Sequence, residues 1–458
     1  MNIIFLLILM TGLLYAALVF INPNINIRCI FLFAYTQGLM VLIGIPSQVS
    51  SLILELSIII FFLSNILISI NKKCKLQAPG ITIMIIYSVI VALSIFANNS
   101  SLINSLMFYR QIVIPYLFFL ALVNYYNRSE MYISIKKMIF LLFFIQVFAS
   151  VMKILVVGTQ QEDIIGTMSY FQGAIATVYP MLIVGICIAY FLCYRNKPFL
   201  MYLLWTVGAL IIGFASAKRA IWLYLPVVVL GAYFLYSYLN IKQINVLKSL
   251  KSTVAIIVII MISLYAGGRL IPTLNPEKEI GGSFNLGYMI SYASEYSNRL
   301  TDAGMTFGRQ NTTEYVIELI TENIDSSLLG FGPDSLNRGE DLYARSGRFG
   351  IRYGLTGFTF NSLSAGLVAS LLIPLLFLKF ALKHIKVYRR SQNQKNRTTS
   401  LVVIVTTLVF FIDYFSYSTA FIFGESIIYT YYFLVSELYG VELDSIKLST
   451  HYSRFEVK

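Results

Sequence analysis

The run Leu401-Val402-Val403-Ile404-Val405-Thr406-Thr407-Leu408-Val409-Phe410-Phe411-Ile412, continuing through Asp413 to Ile422, decides the fold class. Asp413 is its single charge. About 20 mostly apolar residues cross the ~30 Å hydrocarbon core of a bilayer as one helix. Working outward, comparable runs lie near residues 3–20, 29–46, 52–70, 79–97, 107–126, 138–157, 169–193, 199–215, 220–239, 253–270, 360–380 and 426–440. The chain is 58% hydrophobic and only 12% charged, with a mean hydropathy of +0.76, whereas soluble domains carry about 25% charged residues. These features predict an all-α polytopic membrane protein with about twelve to fourteen transmembrane helices.

Residues 2–20 lack a basic leader and an Ala-x-Ala cleavage site and are followed by Asn22-Pro23-Asn24, so a retained first helix is expected. The four cysteines show no CxxC metal spacing and no disulfide framework. The net charge of +13 sits mainly in short connections between runs, which argues against nucleic acid as a partner. Those connections set orientation. Lys72-Lys73-Cys74-Lys75, Arg128 with Lys136 and Lys137, Arg195 with Lys197, Lys242 to Lys251 and Lys383 to Arg397 fall on alternate turns of the chain. The positive-inside rule makes them cytoplasmic. Connections 46–51, 98–105, 158–168 and 271–358 are then external, and the tail 441–458 is cytoplasmic. Lys218, Arg219 and Arg110 break the rule by placing cations on the external face. Snorkelling to lipid phosphates accounts for one such residue; three facing one compartment suggest a shared anionic ligand.

The external segment 271–358 interrupts the hydrophobic pattern. Its basic residues are Lys278, Arg299, Arg309, Arg338, Arg345, Arg348 and Arg352, so arginine outnumbers lysine six to one. A short helix is expected over 289–303, carrying Glu295, Arg299 and Asp302. A clearer helix spans 311–323, with Asn311 as N-cap and Glu314 as its capping-box partner. Glu314, Glu318 and Glu322 share one face, which reads as solvated. The Gly330-Phe331-Gly332-Pro333-Asp334 turn ends it, and its backbone N–H groups offer an anion cradle or an ordinary helix stop. Beyond it, Arg338, Arg345, Arg348 and Arg352 alternate with glycines in a segment read as a mobile loop. Guanidinium forks hold phosphate at any working pH; lying on a membrane surface is the competing reading. The chain thus divides into a bundle at 1–270 with about ten spans, an arginine-rich loop domain at 271–358 with short helices, terminal spans at 359–440 and a tail at 441–458.

Ser216-Ala217-Lys218-Arg219-Ala220, the segment from Glu314 to Pro333, and Thr359-Phe360-Asn361 followed by Gly366 together resemble elements of the O-antigen polymerase and O-antigen ligase group, polytopic glycosyltransferases of C type. The resemblance covers the architecture broadly and the motifs only in short stretches. Phe360 stands where the ligases carry histidine, and His384 and His451 fall on the cytoplasmic side, which favours polymerase. The polymerases' paired Arg-x10-Gly pattern is absent, since Leu230 stands eleven residues after Arg219.

The resemblance implies a bacterial inner-membrane enzyme with a periplasmic active site. It would transfer an undecaprenyl-diphosphate-linked glycan onto an incoming lipid-linked repeat unit, without cofactor or metal. Implied catalytic residues are Arg219, Arg309 and Arg352, with Arg110, Lys218, Arg345, Arg348 and Arg299 on the diphosphate. Glu295, Asp302, Asp334 and Glu340 are general-base candidates by location. A chain-length regulator protein is an implied partner. The alternatives are a ligase and, third, a lipid-linked oligosaccharide flippase, the last suggested by Asp413 as an intramembrane carboxylate.

Overall fold

The computed structural model describes residues 23–72, 76–125, 129–158, 164–168, 173–194, 199–240, 246–297, 308–335 and 354–439. The helix expected over residues 3–20 and the tail lie outside them. Among the described residues the chain is all helical. The helices are α1 (Pro23–Leu42), α2 (Ser47–Asn71), α3 (Ile81–Ala97), α4 (Leu102–Val123), α5 (Ser129–Val157), α6 (Ile175–Cys193), α7 (Phe199–Ala215), α8 (Arg219–Leu239) and α9 (Val246–Leu270). Three shorter ones follow, α10 (Leu286–Ser297), α11 (Arg309–Thr321) and α12 (Ile324–Leu329), then α13 (Gly357–Arg390), α14 (Gln394–Ile412), α15 (Ala420–Phe423) and α16 (425–439).

Eight described helices are long and apolar enough to cross a membrane: those at Ile25–Leu42, Val49–Asn71, Leu102–Val123, Met131–Val157, Ile175–Cys193, Arg219–Leu239, Gly357–Arg390 and Gln394–Tyr417. Ile81–Ala97 and Leu200–Ala215 are apolar but shorter. The protein is therefore a multi-pass membrane protein. Its helices are ordered by how much apolar surface they hide. In α6, 89% of the membrane-length window is buried, against 28% in α5. A helix apolar on every face belongs in a core, and α6 packs on α7, α8 and α14. Leu141, Phe148, Leu155 and Val156 of α5 stay exposed, the surface expected to meet lipid.

The connections gather into two ends. At one, Gln77 N–H donates to Asn124 Oδ1 (2.8 Å), Arg397 Nη2 to Asn240 Oδ1 (2.6 Å), Gln394 Nε2 to the Cys193 carbonyl (2.5 Å), and Lys136 Nζ meets Glu437 Oε2 at 2.5 Å. Every basic connection is represented there. At the other, Ser101 N–H donates to Asp334 Oδ2 (2.6 Å), Asn98 Nδ2 to the Gly330 carbonyl (3.4 Å) and Gly357 N–H to the Ser418 carbonyl (2.9 Å). The connections expected to be external thus lie together, with the described part of 271–356 among them.

The most consequential irregularity is in α13. Gly366 adopts φ 86°, ψ 170° and breaks the helix into 357–365 and 367–390. A broken helix within a bundle needs its freed carbonyls paired. Phe331 N–H donates to the Leu363 carbonyl (2.7 Å) and Ser94 Oγ to the Ser364 carbonyl (3.0 Å). The turn after α12 plugs the gap. A Cβ on Gly330 would lie 2.7 Å from both Gly366 N and Leu363 O, so the glycines are required there by close approach.

Candidate functional site

Two arginines are fixed at the end that carries the polar segment. Arg219 opens α8 behind a tight reversal. Ala217 takes a left-handed φ of 51°, its N–H donates to the Phe214 carbonyl (3.0 Å), and Lys218 N–H donates to the Gly213 carbonyl (3.1 Å). This is a Schellman ending to α7 with alanine where glycine is usual. It leaves Lys218 as the N-cap and Arg219 as the first residue of α8. The guanidinium hydrogen-bonds the Tyr292 hydroxyl of α10 and stacks 5.4 Å from its ring centroid.

Arg309 opens α11, and its Cζ sits 4.4 Å from the Tyr417 ring centroid while Nε donates to the Tyr417 carbonyl (2.5 Å). Tyr417 ends a π-helical turn, Asp413–Tyr417, in which α14 unwinds. Asp413 organises that turn. Its Oδ2 accepts from Phe421 N–H (2.7 Å), its Oδ1 from the Ser418 hydroxyl, and its backbone carbonyl from Ser418 N–H (2.9 Å). It also lies within electrostatic reach of Arg309. Asp413 was expected deep within a span. It lies within the candidate span Gln394–Tyr417, buried and four residues from its end, and its oxygens cap the reversal that follows.

The polar segment differs from expectation in three places. The helix expected over 311–323 starts at Arg309 with Gly308 as N-cap and no side-chain cap; Glu314 instead accepts from Gln310 Nε2 (3.1 Å). The capping box forms at α13, between Thr356 and Thr359. The first short helix starts at Leu286 rather than Met289, with its expected end over 298–303 outside the described residues, and the Gly330-to-Gly332 turn docks on α13 and on the 98–100 turn. Glu314, Glu318 and Glu322 are exposed, as a solvated face requires.

The other site candidates divide. Arg110 is paired inside the bundle, Nη1 to Glu55 Oε2 at 3.1 Å, rather than presented at the face. Asp334 caps the start of α4 through Ser101, and Glu295 is exposed on α10. Arg299, Asp302, Arg338, Glu340, Arg345, Arg348 and Arg352 lie outside the described residues. Gly354 nevertheless lies beside the start of α11, because a Cβ on it would stand 3.3 Å from the Gly308 carbonyl. Phe360 packs on Phe108 and Phe423, at centroid distances of 5.9 and 5.2 Å.

Sequence reasoning missed Glu55, Glu425 and Arg269. Glu55 is the lone acid of its run, and the rule applied to Asp413 would have found it. Arg269 ties the end of α9 to the following turn through the carbonyls of Gly281 (2.7 Å) and Gly282 (3.0 Å). Among the described residues no three His, Cys, Asp or Glu side chains gather as a metal site needs. No family model matches the chain, and no curated protein matches it.

Proposed function

We propose that this protein is a surface-polysaccharide polymerase of the bacterial inner membrane, extending an undecaprenyl-diphosphate-linked glycan by one lipid-linked repeat unit at the external face. The observation that carries the reading is the placement of Arg219 and Arg309. Each is clamped by a tyrosine at a helix end, on the end of the bundle opposite the basic connections. With the basic end cytoplasmic, both guanidinium groups face outward at membrane depth.

The chemistry explains why arginine suits that position. Glycosyl transfer from a lipid diphosphate breaks the bond between the anomeric carbon and a phosphate oxygen, and negative charge grows on the diphosphate. Fixed donors that meet this charge lower the barrier, and losing one such donor typically costs 10²–10³ in rate. Arg309 holds its Nε–H on the Tyr417 carbonyl, so the fork's terminal edge is oriented in advance. Lys218 adds charge beside Arg219, and the arginines at 345, 348 and 352 belong to the segment that returns at Gly354, next to Arg309.

Purified protein in lipid vesicles, supplied with lipid-linked repeat units, tests the reading. A ladder of longer products is expected, and Arg219→Ala or Arg309→Ala should each slow elongation by about 100-fold. Parent-like ladders from both variants would sink the arginine site. In cells, loss of the protein should leave glycan carrying a single repeat; complete loss of surface glycan would point to a ligase, and precursor retained on the cytoplasmic leaflet to a flippase.

A further inference from the structure

A second polar group lies in the same end of the bundle, formed by residues that the arginine site does not use. Glu55 of α2 and Arg110 of α4 make an ion pair at 3.1 Å, with side chains 14% and 29% exposed. Glu425, the first residue of α16, is within electrostatic reach of both and is hydrogen-bonded by Ser51 of α2; Tyr429, one turn further along α16, lies beside the same three charges. Two carboxyl groups thus face one guanidinium. The Glu55–Arg110 pair is neutral by itself, so Glu425 is the group whose charge the cluster does not balance.

Two buried atoms there lack hydrogen-bond partners: Glu425 Oε2, an acceptor, and Arg110 Nε, a donor. Leaving either dry and unpaired costs about 1–3 kcal/mol, and more for charged groups. One acceptor and one donor in one cluster describe a ligand group that both donates and accepts. A hydroxyl does so; a phosphate offers no proton, and an ammonium offers no lone pair.

The cluster is also tied to the arginine site. Glu425 directly follows the connection 413–424, which holds Arg309 through Tyr417. The rings of Phe423, Phe360 and Phe108 are in contact in series, and Phe108 precedes Arg110 by two residues. The first piece of α13 therefore packs beside the Glu425–Arg110 cluster.

We propose that Glu425, Arg110 and Glu55 form the acceptor-sugar site, with Glu425 as the general base that accepts the proton of the attacking hydroxyl. The inference rests on the polymerase reading. The acceptor O–H proton passes to Glu425 Oε2 as the acceptor oxygen bonds the anomeric carbon of the donor glycan. The electron pair of the broken C–O bond stays on the diphosphate oxygen, and the lipid diphosphate departs with it. Glu425 then releases the proton to water. Arg110 Nε–H donates to the oxygen of the same hydroxyl, and Glu55 fixes the guanidinium plane as a positioning residue.

The test uses the full chain in vesicles with lipid-linked repeat units. A general base contributes typically 10²–10⁴ in rate. Glu425→Gln, nearly isosteric, should lower kcat for elongation by about 100-fold or more, with binding of a polyprenyl diphosphate unchanged within threefold. Glu425→Asp should recover part of the rate. The parent rate should rise with pH through one ionisation, and the Gln variant should lose that dependence. Glu55→Gln should raise KM for the acceptor more than it lowers kcat. If Glu425→Gln binds the diphosphate and elongates within threefold of the parent, the base assignment is overturned and the polymerase reading stands. Absence of elongation by the parent itself overturns both.

Discussion

At the scale of the residue, Asp413 illustrates how position changes meaning. An acid in an apolar run implies proton chemistry, yet here each oxygen accepts a bond from the turn that it stabilises. Asparagine can reproduce both contacts, accepting from Phe421 N–H and donating to the Ser418 hydroxyl, whereas alanine can reproduce neither. Asp413→Asn should therefore cost less than about 1 kcal/mol and Asp413→Ala about 2–3 kcal/mol in thermal unfolding. A proton-carrying role would show the opposite signature: Asn as inactive as Ala. Glu277 gives a second prediction outside the membrane. Its carboxylate accepts from the Ser283 hydroxyl (2.5 Å) and the Ser283 N–H (2.9 Å), and these bonds hold its pKa below the usual carboxylate value. A depressed folded pKa means that the bonds are fully present above the ordinary glutamate range. They are lost as pH falls through the depressed value. The Ser283 amide resonance should shift across that acid window, and should not do so in Glu277→Gln.

At the scale of the element, the joint between α12 and α13 carries the clearest mechanical claim. Gly330 sits at φ 66°, ψ −157°, conformational space open essentially only to glycine, against the backbone of Gly366. Gly330→Ala should destabilise the protein by about 3 kcal/mol and release the 324–335 segment to protease before the bundle melts. Cleavage and global unfolding that remain coincident, as in the parent, would refute the plug. This element also marks where the sequence was legible and where it was not. The glycine-rich turn was read correctly as the end of a helix, because glycine is a local signal. Its partner is 36 residues away at Gly366, and nothing in either stretch announces the other. The same limit explains the missing cap at Asn311: the local pattern favoured it, but the contact of Arg309 with Tyr417 starts α11 two residues earlier.

At the scale of the whole molecule, hydropathy and alternating charge carried most of the information. All described spans fall on runs readable in the sequence, and the connections sort to the two ends that their charges anticipated. What stayed hidden were the pairings between helices, Glu55 with Arg110 and Glu425 among them, since an apolar background gives no hint of which faces meet. The sidedness itself is testable. In a background lacking all four cysteines, Ser283→Cys should react with an impermeant thiol reagent from outside intact cells, and Asn393→Cys only after permeabilisation; the reverse pattern would invert the topology. The plug at Gly366 also imposes an order of assembly. The 328–334 turn bonds to residues 98–101, made early, and to Leu363, made later. The polar segment is therefore complete before half of its docking surface has been synthesised. Only the arrival of α13 latches its 328–334 turn, so a chain arrested before residue 357 should leave that turn unseated.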